Sequence, residues 1–185
     1  MSEEPTLERL ASKDAIHDVL MRYCRGIDRL DVELLKSCYH EDSWDDHGHY
    51  KGGGHAFAQF IAESLAARAH HTTHAVANVL IELDDADRDL ARAESYALAH
   101  LRRTDASGTE WLDLFFGRYV DRFERRADVW RIASRVVVHD WSVSTVLDPA
   151  IAFPLPMDGF TQGRRNRCDA VYASPAPSAS ASPAP

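Results

Sequence analysis

The sequence predicts an α+β fold in which helices come first and pack on one face of a curved sheet. Three observations carry this. Apolar residues recur at helical spacing up to about residue 69, four long segments rich in β-branched and aromatic residues follow, and short turn-like stretches separate those segments. Helices followed by a run of antiparallel strands is the pattern of a layered α+β domain rather than of alternating βαβ units.

In residues 12–30, Ile16, Val19, Leu20, Tyr23, Ile27 and Leu30 form the stripe of an amphipathic helix, with Ser12 as its expected N-cap. Asp31 caps a second, short helix in DVELLKSCY. SWDDHGHYKG reads as a short strand closed by a glycine turn. GGHAFAQFIAESLAARA returns to helical period, with Phe57, Phe60, Ile61 and Leu65 on one face. Strands are expected over 72–84, 89–104, 109–125 and 129–143, separated by DDAD, DASG and RRAD. From about Thr145 the pattern dissolves. The expected division is a main domain over 1–145, a C-terminal extension over 146–172 and an Ala/Ser/Pro tail over 173–185. The tail's composition cannot bury enough surface to fold, so disorder is expected there.

A chain of 185 residues is most simply one domain with a core of its own. Its net charge of −8 argues against a nucleic-acid partner, and RRNR at Arg164–Arg167 is too short a basic cluster to reverse that. No apolar run is long enough to span a bilayer. The segment MSEEPTLERL is acidic where a signal peptide would be basic and then apolar, so a cytoplasmic location is expected. Cys24, Cys38 and Cys168 lack metal-site spacing, and the first two are expected as buried, reduced thiols in helices.

The stretch HHTTHAVANVLIEL, His70–Leu83, holds three histidines in five positions. On a strand His70 and His74 would share a face about 13 Å apart, too far for one metal ion, and His71 would point away. His47 and His49 in DHGH make a closer pair, but no third ligand accompanies them, so no metal is expected. His74 stands where the polar entry becomes an apolar strand, with Val76 and Leu80 expected on its face. An imidazole at the rim of an apolar pocket can act as a base near neutral pH, or can simply bond a backbone carbonyl. A base needs an acceptor on its second ring nitrogen, and Asp28, at the C-terminal end of the first helix, is a candidate. Tyr23 lies on the apolar stripe of that helix, where a core aromatic is the simpler role.

The succession of LASKDAIHDVLMRYCRGIDRLD, YKGG, HTTHAVANVLIEL and GRYVDRFERRADVWRIASRVVVHDW resembles the SnoaL-like branch of the nuclear-transport-factor-2-like superfamily over about residues 6–145. The resemblance implies a cone-shaped sheet, mixed or antiparallel, wrapped around the N-terminal helices and a deep apolar cavity. The pattern is similar to that of bile-acid dehydratases and hexachlorocyclohexane dehydrochlorinases and, more distantly, scytalone dehydratase. In these an aspartate fixes the tautomer of a proton-abstracting histidine, and Asp28 and His74 fall on those positions. Tyr23 matches a tyrosine of the bile-acid dehydratases where the dehydrochlorinases have lysine, and Ile27 stands where scytalone dehydratase has tyrosine. Arg135 is the candidate for a substrate-binding arginine on the last strand.

The function so implied is a cofactor-independent lyase: a dehydratase, or less in keeping with the pattern a dehydrochlorinase, acting on a hydrophobic alicyclic or steroid-like molecule. The resemblance calls for no redox cofactor, and the sequence contains no GxGxxG or P-loop to hold one. It also implies a homo-oligomer, a trimer by analogy, formed through the outer face of the sheet. Two alternatives stay open at this point: an isomerase or cyclase using the same cavity, and a non-catalytic subunit like the small subunit of ring-hydroxylating dioxygenases.

Overall fold

The structure, a computed structural model, describes residues 6–148, 150 and 154–173. Apart from Ala173, the tail expected to be disordered lies outside the described residues. The first helix, α1 (Leu7–Arg29), starts earlier than the apolar stripe suggests. Thr6, not Ser12, is its N-cap, accepting the Arg9 N–H at 3.3 Å, and Ser12 is buried within the helix. Glu8 in the first turn and Arg29 in the last complement the helix dipole. The stripe Ile16, Val19, Leu20, Tyr23 and Ile27 is buried as its spacing predicts. Leu30 ends the helix in the left-handed region at φ 53°, and Asp31 then caps α2 (Val32–Ser37) by accepting the Leu34 N–H at 3.2 Å. The turn draws α2 so close to α1 that a Cβ on Gly26 would stand 2.9 Å from Cγ of Leu35.

Six strands follow or interleave: β1 (Tyr39–Asp46), β2 (Lys51–Gly53), then α3 (Gly54–Arg68), β3 (His71–Leu83), β4 (Leu90–Thr104), β5 (Glu110–Arg126) and β6 (Val129–Val146). They form one open sheet in the order β2-β1-β6-β5-β4-β3. Among the described residues only β1 and β6 run parallel; the remaining pairs are antiparallel, so the sheet is mixed. The β5–β6 hairpin turns through Ala127 and Asp128, both at positive φ, the conformation that matches strand twist. Register shifts at Ala77/Leu80, Phe116/Gly117 and Arg122/Phe123 bend the strands into a concave surface.

The helices lie in that concavity. Phe57, Ile61 and Leu65 of α3 and the α1 stripe pack against Phe123, Trp130 and Ile132. Phe60 departs from the predicted face: it is partly exposed and stacks on Tyr50 instead. The inner face of β4 carries Ala91, Ala93, Ala97 and Ala99, and these small side chains keep the middle of the bowl from filling. Residues 154–173 return over the helix ends. Arg167 and Tyr172 both bind the Asp31 carboxylate, at 3.0 and 2.8 Å, and Arg165 donates to the terminal carbonyls of α3 at Leu65 and Ala69. Cys24 and Cys38 are buried free thiols; burial raises their pKa to about 12 and about 11 respectively.

Candidate active site

A cavity of about 300 Å³ opens between α1, α3 and the concave face of the sheet. Ile27, Ile61, Leu65, Leu101, Phe115 and Val137 supply its apolar wall, and three imidazoles, His47, His49 and His74, line it as well, with Arg68 and Asp113. This volume is at the lower end of the range that holds a small organic molecule.

His74 is placed by an edge. β3 ends the sheet, so among the described residues alternate N–H groups along it have no strand partner. Asp28, at the end of α1, uses one of them: its Oδ2 accepts the His74 backbone N–H at 2.8 Å, while its Oδ1 accepts Nδ1–H of the same residue at 2.7 Å. A carboxylate at a helix C-terminus is disfavoured by the dipole, and these two bonds compensate it. Both side chains are nearly buried, about one tenth exposed. With Nδ1 donating, the other ring nitrogen carries a lone pair, which is the form a base needs.

Val76 shares the inner face with His74, but Leu80 does not. Asn78 adopts φ 48° and shifts the register by a residue, so Val79 and Ile81 turn inward and Leu80 is 58% exposed. His70 precedes the strand and bonds Glu110 at 3.0 Å, with the exposed His71 ring edge-on to it. Among the described residues no group of three or more His, Cys, Asp or Glu side chains has a geometry that could hold a metal ion.

A second imidazole–carboxylate pair stands in the same cavity. His47, just after β1, bonds Asp45 through Nδ1 and stacks on Phe57 with ring centroids 4.0 Å apart. Asp45 is fully buried and also accepts the Tyr39 hydroxyl at 2.7 Å. Nε2 of His47 meets the Tyr23 hydroxyl at 3.2 Å. Burial holds His47 below the ordinary imidazole range even though Asp45 pulls the other way. Burial also pushes the Tyr23 phenol well above its usual value, so Tyr23 donates its O–H and neutral His47 accepts.

The four residues singled out in the sequence therefore separate. Asp28 and His74 meet directly. Tyr23 is fully buried, with its hydroxyl on His47 rather than on the cavity. Arg135 is also fully buried: two of its nitrogens bind Asp121 at 2.7 Å each, and its guanidinium lies over the Tyr23 and Tyr119 rings at 4.2 and 4.0 Å. That places Arg135 in the wall and corrects the expectation that it reaches substrate. The Asp45–His47 pair is what the sequence reading missed. Strand alternation puts residues 45 and 47 on one face, the signal that could have found it.

The family model for the SnoaL-like domain matches residues 8–136, more than half of the chain. The chain belongs to the SnoaL-like family. Its fold is accordingly that of the nuclear-transport-factor-2-like superfamily, with the cone left open at the β2 and β3 edges. No curated protein matches the sequence significantly. Among solved structures, this SnoaL-like chain is similar to the hexachlorocyclohexane dehydrochlorinase LinA-type3 of Novosphingobium barchaimii, at 23% identity and a TM-score of 0.66, over 81% of this chain and 99% of that one. A provisionally assigned scytalone dehydratase of Novosphingobium aromaticivorans matches at 20% identity and a TM-score of 0.64, covering 74% and 89% of the two chains. The β subunit of a provisionally assigned aromatic-ring-hydroxylating dioxygenase from the same organism matches at 19% and 0.56, covering 71% and 91%. At these identities the likeness speaks for the fold.

Proposed function

We propose that this SnoaL-like protein is a cofactor-independent lyase that removes water from a hydrophobic alicyclic molecule. The observation that carries the reading is one imidazole, His74, fixed at Nδ1 by the Asp28 carboxylate and lining an apolar cavity. In the proposed reaction His74 Nε2 takes a proton from a carbon made acidic by a neighbouring carbonyl. Asp28 holds the required tautomer and stabilises the imidazolium that forms. The apolar wall excludes water and strengthens both interactions. Tyr23 acts on this centre through His47 rather than by touching substrate. The names of two structural neighbours, a dehydrochlorinase and a provisional dehydratase, belong to elimination chemistry and agree with the reading.

A halide leaving group is the less favoured variant, because the site presents two imidazole–carboxylate pairs suited to moving protons. A second reading, a non-catalytic subunit, draws on the dioxygenase β subunit among the neighbours. It gives no purpose to a nearly buried Asp28–His74 pair facing an apolar cavity. An isomerase or cyclase would use the same base, and the product separates it, since elimination alone loses the mass of water. The test is a panel of cyclic β-hydroxy ketones, steroids, bile acids and chlorinated cyclohexanes followed by mass spectrometry. Products isobaric with substrate would replace the lyase by an isomerase. The reading also places the protein in the cytoplasm as a homo-oligomer, a trimer by family analogy. Among the described residues no helix is long and apolar enough to cross a membrane.

A further inference from the structure

An elimination of water needs two proton transfers, one from carbon and one to the departing oxygen. The cavity lining holds two imidazoles besides the proposed base, His47 and His49, and of these two only the His47 ring is bonded to a carboxylate among the described residues. His47 lines the same cavity as His74, its Nδ1 is held by the fully buried Asp45, and stacking on Phe57 fixes its plane. Its Nε2 contact with Tyr23, at 3.2 Å, is at the long limit for a hydrogen bond. We propose that His47 is a catalytic residue, the proton donor to the leaving oxygen, with Asp45 and Tyr23 as its positioning residues. This rests on His74 being the base.

His74 Nε2 takes the proton from carbon, and the C–H electron pair becomes the new C=C bond. The C–O bond breaks with its pair on oxygen, and that oxygen takes a proton from Nε2 of cationic His47. An unsaturated ketone and water leave, with His74 cationic and His47 neutral, and the two exchange protons with solvent through the cavity mouth. Burial, which lowers the His47 pKa, makes its cation a stronger acid than a free imidazolium. In the neutral resting form the Tyr23 hydroxyl occupies Nε2; when substrate displaces that hydroxyl, Nε2 takes a proton from solvent through the cavity mouth, and the resulting cation is the form that protonates the leaving oxygen.

The experiment pairs two probes that differ in their leaving group. 3-Hydroxycyclohexanone must have its departing oxygen protonated, whereas 3-(4-nitrophenoxy)cyclohexanone releases a stable anion. His47→Gln is expected to lower kcat/KM on the first by about 10²-fold or more, the usual contribution of a general acid, and on the second by less than about 5-fold. Asp45→Asn, which keeps the shape of the side chain and removes its charge, should show the same selectivity in weaker form. Deuterium exchange at the α-carbon in D2O should persist in His47→Gln and disappear in His74→Ala. Equal losses on both probes, or full activity on the hydroxy ketone, would overturn the assignment. His74→Ala with both probes unaffected would instead remove the base on which it rests. Independently of turnover, saturating cyclohexanol should shift the His47 ring-nitrogen resonances in the wild type. An unshifted spectrum would show that no substrate oxygen reaches His47 and would also overturn the proposal.

Discussion

Replacing Asp28 by asparagine keeps the shape of the side chain and removes its charge. The wild-type carboxylate accepts two N–H groups from one residue, the His74 backbone at 2.8 Å and Nδ1 at 2.7 Å. An amide has one acceptor oxygen and one donor nitrogen, so it cannot accept both. If the oxygen keeps the backbone N–H, the NH2 faces Nδ1, and the imidazole must move its proton to Nε2. The nitrogen left to act on substrate is then a donor, and the base is gone. A wrong tautomer of this kind costs about 10³–10⁴ in kcat, or ~4–5.5 kcal/mol.

The cost in stability is smaller. One charge-assisted bond of about 1.5–3 kcal/mol is lost, and a neutral side chain at the end of α1 recovers about 0.3–1 kcal/mol. A net loss of ~1–2 kcal/mol corresponds to roughly 2–8 °C in Tm for a chain of this size. The assay is nitrogen-15 NMR of labelled histidine together with turnover. The wild type should show His74 protonated at Nδ1, and Asp28→Asn should show it protonated at Nε2 in a folded protein. An unchanged tautomer, or a variant with full turnover, would show that Asp28 does not set the His74 tautomer.

Two further outcomes are expected, the first from the electrostatics of His47 and the second from the trimer proposed by family analogy. His47 should titrate below the ordinary imidazole value of about 6.5, because burial outweighs the opposing pull of Asp45, and the nearby Arg135 and His49 add to the lowering. The native state then binds fewer protons than the unfolded chain just below that pH. The His47 contribution to stability is therefore complete above the unfolded value and is lost as pH falls through the depressed native one. An NMR titration of the His47 ring with a midpoint at or above about 6.5 would contradict this. The outer face of the sheet exposes Leu80, Tyr96, Trp141 and Val143, with Trp141 stacked on Phe116. Light scattering should report three times the 20.7 kDa chain mass, falling to one in Trp141→Glu; a wild type that is monomeric at micromolar concentration would remove the trimer.

Strands and helices are legible in the sequence wherever a period persists, which is why all four long segments after residue 70 lie within about three residues of their expected limits. Local departures have local causes. Thr6 displaces Ser12 as the cap because nothing in LERLAS opposes helix, so the backbone continues to the first side chain that can accept the free N–H groups. Leu80 points outward because Asn78 inserts a left-handed residue, which no alternation pattern announces. The parallel pairing of β1 with β6 joins segments far apart in sequence and leaves no periodic trace. At the site, the charge on Asp28 marks it as unusual for a helix end, but its partner came from family resemblance rather than spacing. Arg135 is a ligand candidate in the sequence because the resemblance implies a substrate-binding arginine on the last strand. Its burial depends on Asp121, fourteen positions away on the neighbouring strand, and pairing across strands is invisible without the register.

The central claim, that His74 is the base of an elimination, is tested most directly by His74→Ala on the cyclic β-hydroxy ketone that the wild type converts fastest. The wild type should release a product lighter by one water, and the variant should lose at least about 10²-fold in kcat/KM while remaining folded. A folded His74→Ala protein that retains full turnover would contradict it.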